Sequence, residues 1–198
     1  MISDLIKVWI IMTCIISLPY CWTYGDTKDG WFAGPTAAYV IPYPTSVSYK
    51  GMSGTAYFKD GYGVGLEAGR TIRNFKLYLT YDYTQARAKG ITINTPFGQQ
   101  SNSDTDLFAS HTIMANADIK IGSLWGFRPF IGGGAGLSID QTTSSVCEVR
   151  GGLERKFKGG RISIGYAYRI AQGQINEGNW HIKEPSQSRF MLAWGRSF

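Results

Sequence analysis

Hydrophobicity in this chain repeats every second residue, and it does so in eight separate segments. In the final segment Phe190, Leu192, Trp194, Arg196 and Phe198 alternate with Arg189, Met191, Ala193, Gly195 and Ser197. Upstream, Phe75, Leu77, Leu79, Tyr81 and Tyr83 alternate with Lys76, Tyr78, Thr80, Asp82 and Thr84. Ile162, Ile164, Tyr166, Tyr168 and Ile170 oppose Arg161, Ser163, Gly165, Ala167 and Arg169. Period two places each set on its own face of a strand. One face is almost purely apolar, while the other holds charge and glycine.

The segments cover about 30–41, 56–69, 75–84, 106–121, 127–139, 145–157, 161–170 and 188–198. Each is about as long as a tilted membrane-spanning strand requires, roughly 9–11 residues. An even number of antiparallel strands can close with no unpaired edge in lipid. The expected fold is therefore all-β, an eight-stranded antiparallel up-and-down transmembrane barrel over residues 26–198. No stretch after residue 25 is long and apolar enough to be a membrane helix.

Residues 1–25 read as a signal peptide. Lys7 precedes the apolar run from Val8 to Leu18, Pro19 breaks it, and Gly25 offers a small residue before Asp26. About 11 apolar residues fall short of the roughly 20 a spanning helix needs. A lipoprotein site at Cys21 is disfavoured by the bulky Tyr20 before it. Cleavage removes Asp4 and Lys7 together, so the charge of +6 is unchanged. It also removes Cys14 and Cys21. Cys147, which remains, can form neither an internal disulfide nor a zinc site, and is expected to face lipid. The basic residues are scattered rather than clustered, which argues against nucleic acid as a partner.

The connections alternate in length. Arg70–Asn74, Gly122–Gly126 and Lys158–Gly160 read as tight turns, whereas Pro42–Thr55, Gln85–Thr105 and Ala171–Gln187 are long and polar. Asp140–Ser144 is the short exception on the long-loop side. This asymmetry matches short periplasmic turns and long extracellular loops, with both termini periplasmic. Aromatics on the apolar parity fall at the ends. Trp31, Phe75, Phe127, Phe157 and Phe198 are expected at the periplasmic rim, and Tyr39, Phe58, Tyr83, Tyr168 and Phe190 at the outer one.

Four elements carry a family resemblance: Asp60-Gly61-Tyr62-Gly63-Val64-Gly65-Leu66, the strand around Asn116, Arg128-Pro129-Phe130-Ile131-Gly132-Gly133-Gly134-Ala135-Gly136, and the closing Phe190–Phe198. On these the chain resembles the OmpA/OmpX-type eight-stranded outer-membrane β-barrels, without the peptidoglycan-binding domain of longer members. The resemblance implies a bacterial outer-membrane location among lipid and lipopolysaccharide. It also implies that Phe190, Leu192, Trp194 and Phe198 form a signal read by the barrel-assembly machinery.

By parity, eleven charges point inward: Glu67, Asp82, Asp118, Glu148 and Glu154 against Lys76, Lys120, Arg150, Arg161, Arg169 and Arg189. An eight-stranded barrel is just wide enough for side chains to fill, so mutual pairing is expected. The expected result is a salt-bridged interior, the alternative a narrow ion path through rearranging pairs. Phe32, Met114, Phe130 and Met191 share this parity, and inward glycines such as Gly132 and Gly134 leave room for long side chains. Pro35 cannot donate to a ladder; a bulge or a shifted strand boundary is expected to absorb it.

No catalytic site, metal or cofactor is expected. His111 lies on the lipid parity with Ser110 opposite, His181 lies in a loop, and Gly132-x-Gly134 lacks the third glycine of a dinucleotide loop. A lipocalin would carry the reverse parity, apolar inside and polar outside. Function is then expected in the loops, through Tyr49, Lys50, Phe97 and Trp180, together with Tyr43, Met52, Ile91 and Ile93. The leading expectation is a non-enzymatic surface protein, adhesin-like, meeting a host-surface or matrix ligand. The alternative is a small porin.

Overall fold

A computed structural model describes residues 30–96, 98–102, 107–123, 125–139, 143–177 and 180–198; the expected signal peptide lies outside them. Twelve strands form one antiparallel sheet: β1 (Gly30–Pro42), β2 (Thr45–Tyr49), β3 (Met52–Ile72), β4 (Phe75–Thr95), β5 (Gly98–Asn102), β6 (Leu107–Lys120), β7 (Phe127–Ile139), β8 (Thr143–Phe157), β9 (Gly160–Gln172), β10 (Gln174–Glu177), β11 (Trp180–Lys183) and β12 (Gln187–Ser197). Eight of them close a ring in which β1 pairs with both β3 and β12, and β3, β4, β6, β7, β8, β9 and β12 follow in turn. The expected all-β eight-stranded barrel is what forms.

Closure explains how a chain with so little apolar core holds together. Its large apolar side chains point outward: Val64, Leu66, Leu77, Leu79, Ile113, Ile131, Val149, Leu153 and Ile164 are all exposed. In water this band would be untenable; in lipid it is the favourable face. Cys147 lies on it too, exposed between Ala135 and Ile170.

The strands run further than the alternation suggests. β3 and β4 each have 21 residues, and β2 continues onto β3 in the register that β1 already uses (Gly30↔Thr71, then Thr45↔Ala56). β11 likewise pairs with β2. Segments 42–55, 85–105 and 171–187 therefore hold strands that extend the barrel wall beyond the apolar band, rather than being loops throughout. Beyond the band lipid no longer selects apolar residues, so the pattern fades although the β-branched Thr92-Ile93 type of sequence persists. The β7–β8 hairpin stays short, leaving the wall low on that side.

Two local expectations are corrected. Phe58 does not join the outer aromatic rim. A bulge between Lys59 and Tyr62 inverts the parity above it, and Phe58 turns inward onto Phe108 with ring centroids 5.9 Å apart. Pro35 is absorbed by neither a bulge nor a boundary. The β1–β12 ladder skips from Ala33↔Arg196 to Thr36↔Ala193 with no shift of register, while pairing to β3 continues through Pro35↔Leu66. Beside it, a methyl group on Gly34 would overlap the carbonyl oxygen of Trp194. The seam closes there because Gly34 has no side chain.

Candidate functional site

Every one of the eleven inward charges is at least 90% buried, the most open being Asp82 and Arg150 at 6% exposure. They gather in two clusters. Near the tight-turn end, Glu67 takes Lys76 at 3.1 Å and Arg161 at 2.7 Å, while Glu154 takes Lys120 at 2.6 Å and Arg161 at 3.8 Å. Toward the long-hairpin end, Arg169 and Arg189 each bridge Asp82 and Glu148, at 2.9 to 3.4 Å. Arg150 joins Asp118 at 3.0 Å to Glu148 at 3.3 Å. The first cluster has two acids and three bases, the second three and three.

Aromatic and amide groups complete the packing. Phe32 lies under Arg161, whose guanidinium carbon is 3.2 Å from the ring centroid, with Lys76 at 5.0 Å. Tyr78 packs edge-on against Phe32 and donates its hydroxyl to Asp118 at 2.8 Å. Asn116 donates its amide to Thr80 at 3.0 Å. These partners share the inward parity, so the signal was present; which partner each takes depends on the ring's width and stagger. Inward glycines make the space. A side chain at Gly132 would collide with Asp118, and one at Gly134 with Asn116.

Between the clusters lies a cavity of about 40 Å³, lined by Glu67, Lys76, Tyr78, Asp82, Glu148 and Arg150 among others. It is large enough for a few waters at most and too small for an organic solute. Beyond the second cluster the interior is mostly uncharged, with Met114, Val146 and Ala171 packed together. Glu184 and Pro185, just before β12, are also buried. Glu184 accepts a hydrogen bond from the Ser144 hydroxyl, and its backbone donates to Gly173 at 3.0 Å. Glu184 carries no signal in the alternation, because it sits in an irregular turn before β12.

The long-hairpin residues separate spatially. Tyr49 and Lys50 form the tip of the β2–β3 hairpin, with the Lys50 ammonium 5.4 Å from the Tyr49 ring centroid. Phe97 lies outside the described residues. Of Trp180 the backbone pairs with Tyr49, and its side chain is outside the described residues. Tyr43 is no free loop residue: it packs on Tyr168 and hydrogen-bonds the Ser188 hydroxyl at 2.8 Å. On β12, Phe190 and Trp194 are exposed on the outer face and Leu192 is half-buried; Phe198, just past its end, is exposed.

The histidines do not assemble a hydrolytic site among the described residues. His111 is on the outer face against Tyr81 at 2.8 Å, while Ser110 is buried on the inner one. No group of three or more potential metal ligands occurs among the described residues.

No protein-family model and no curated protein sequence matches the chain. Solved structures do. The Neisserial surface protein A (NspA) superposes with a TM-score of 0.55 at 17% identity, over 87% of this chain and 100% of that one. OprG from Pseudomonas aeruginosa gives 0.60 at 10% identity, over 86% and 97%. OprH from P. aeruginosa, solved in DHPC micelles, gives 0.51 at 16% identity, over 85% and 99%. With its ring of eight strands, outward apolar band and charged interior, the chain has the fold of the eight-stranded outer-membrane β-barrels of OmpA/OmpX type.

Proposed function

We propose that this is a non-enzymatic bacterial outer-membrane surface protein whose barrel is a sealed scaffold and whose long hairpins contact a ligand outside the cell. The observation that carries this reading is the interior: the eleven buried charges of the barrel strands are ion-paired across the lumen, and the cavity between their two clusters is about 40 Å³. Both termini then lie in the periplasm, and the hairpins built from β2–β3, β4–β5 and β10–β11 stand outside. They carry Tyr49, Lys50 and Trp180, and in the sequence Phe97, aromatic and basic groups of the kind that anchor protein or matrix contacts. In the same account the outward stripe Phe190, Leu192, Trp194 and Phe198 is the segment read by the barrel-assembly machinery, and the apolar band meets lipid and lipopolysaccharide.

A second reading, a small ion-conducting porin, draws on one observation. Arg150 Nη2, Arg161 Nε and Arg189 Nε are buried without a hydrogen-bond partner, and Arg150 and Arg189 line the small cavity, an arrangement that suits a path opened by exchanging partners. Replacing the three long hairpins with short turns, while keeping the barrel strands, separates the two readings. The surface-protein reading expects cell or matrix binding to fall at least tenfold with permeability unchanged. Unchanged binding with altered permeability contradicts it.

A further inference from the structure

The cavity between the two charge clusters is bordered by cations from both. Lys76 belongs to the cluster near the tight turns, Arg150 and Arg189 to the other, and all three line the space. Lys76 and Arg150 pack on the same Tyr78 ring, 4.0 Å and 4.9 Å from its centroid. Arg150 Nη2 and Arg189 Nε are buried donors without a partner, and Ser163 adds a hydroxyl to the lining. Three carboxylates border the space too, but each is already shared. Glu67 lies between Lys76 and Arg161, Asp82 between Arg169 and Arg189, and Glu148 among Arg150, Arg169 and Arg189.

The balance of charge favours an anion here. The eight ring strands are described along the whole depth of both clusters, and the charges they bury are six bases and five acids. The excess base is in the cluster near the tight turns, where Glu67 and Glu154 face Lys76, Lys120 and Arg161. A buried charge left uncompensated is strongly destabilising. Water in the cavity would satisfy the free donors but not the charge. An anion does both, through charge-assisted hydrogen bonds from ammonium and guanidinium groups. A cavity of about 40 Å³ holds one halide ion with a water or two, whereas sulfate would have to displace its walls.

We propose that this cavity is a binding site for one halide-sized anion, chloride under ordinary conditions, held by Lys76, Arg150 and Arg189 between the two clusters. The ion offsets the excess charge of one cluster and accepts from the unpartnered N–H groups of the other, and so ties them into one network. This rests on the reading of a sealed interior, since a conducting lumen would exchange the ion freely.

The test refolds the protein into phosphatidylcholine vesicles at constant ionic strength, with chloride replaced stepwise by gluconate, which is too large to enter. Heat-modifiable gel mobility first establishes folding. One site predicts that each tenfold rise in chloride above its dissociation constant lowers the unfolding constant in urea about tenfold. Lys76→Met removes the excess base, with Arg161 still on Glu67, and is expected to abolish that dependence. Arg155→Gln, on the outer face, should keep it. Crystals grown in bromide should show one anomalous peak among Lys76, Arg150 and Arg189. Water alone in the cavity would overturn the proposal, as would the same chloride dependence in a folded Lys76→Met variant. A bromide peak without chloride dependence of stability would mark an adventitious ion only, and would overturn it too. The excess charge would then be met otherwise, for instance by Asp26 or Asp29 ahead of β1, which lie outside the described residues. If Lys76→Met fails to fold, the wild-type titration and the bromide map decide the question. A silent bilayer without chloride dependence sinks the anion site alone, whereas a conducting wild type sinks the sealed-interior reading.

Discussion

Replacing Glu148 by alanine is expected to destabilise the barrel by about 3–5 kcal/mol. The carboxylate serves three guanidiniums at once, at 3.3 Å from Arg150, 2.9 Å from Arg169 and 3.4 Å from Arg189. Removing it leaves Asp82 alone between two buried arginines, and part of the positive charge unpaired. The energy lost is mainly the cost of stranding those charges, rather than the net worth of the pairs, since buried ion pairs return little beyond their own desolvation. Glu148→Gln keeps hydrogen-bond acceptance and should lose less. Urea unfolding of the barrel in vesicles, followed by tryptophan fluorescence, measures both. A shift below about 1 kcal/mol for the alanine variant would show that the interior is wetter than the geometry implies.

The second large effect lies at the seam. Gly34→Val is expected to cost about 3 kcal/mol and to reduce the yield of folded barrel. The added side chain meets the main chain of β12 at Trp194 and Gly195, which cannot rotate aside as a side chain would. β1 and β12 are the first and last strands of the ring, so the strain falls where the ring must close. The ladder is already interrupted there at Gly34 and Pro35. By contrast, valine at Gly151, where the nearest atom to an added methyl is 3.4 Å away, should be tolerated. The fraction of heat-modifiable protein after refolding into detergent micelles distinguishes the two. Equal yields would mean that the seam does not limit closure.

Most of the barrel could be read from the alternation, because lipid outside and charge inside impose opposite chemistry on the two parities. Glu148 and Arg169 were legible as inward neighbours, and they pair directly across β8 and β9. That Arg169 also reaches Asp82 was not, because that contact crosses the lumen and depends on how the ring is staggered. Parity reasoning also fails beyond a bulge. Phe58 was misplaced for that reason. Ile91 and Ile93 read as exposed loop residues, yet are half-buried in β4, with Ile91 opposite the buried Ala56. The long hairpins were the least legible part. No lipid acts on them, so their strands carry no apolar period, and β11 finds β2 only because the hairpins stand side by side.

Whether paired charges seal the lumen is read by single-channel recording of the folded protein in a planar bilayer. With folding established by gel mobility, the wild type is expected to leave the membrane silent. Openings are expected only in variants that strand a charge, such as Glu148→Ala. Discrete, reproducible conductance steps in the wild type, abolished by altering Glu67 or Arg150, would contradict this and make the interior a pore.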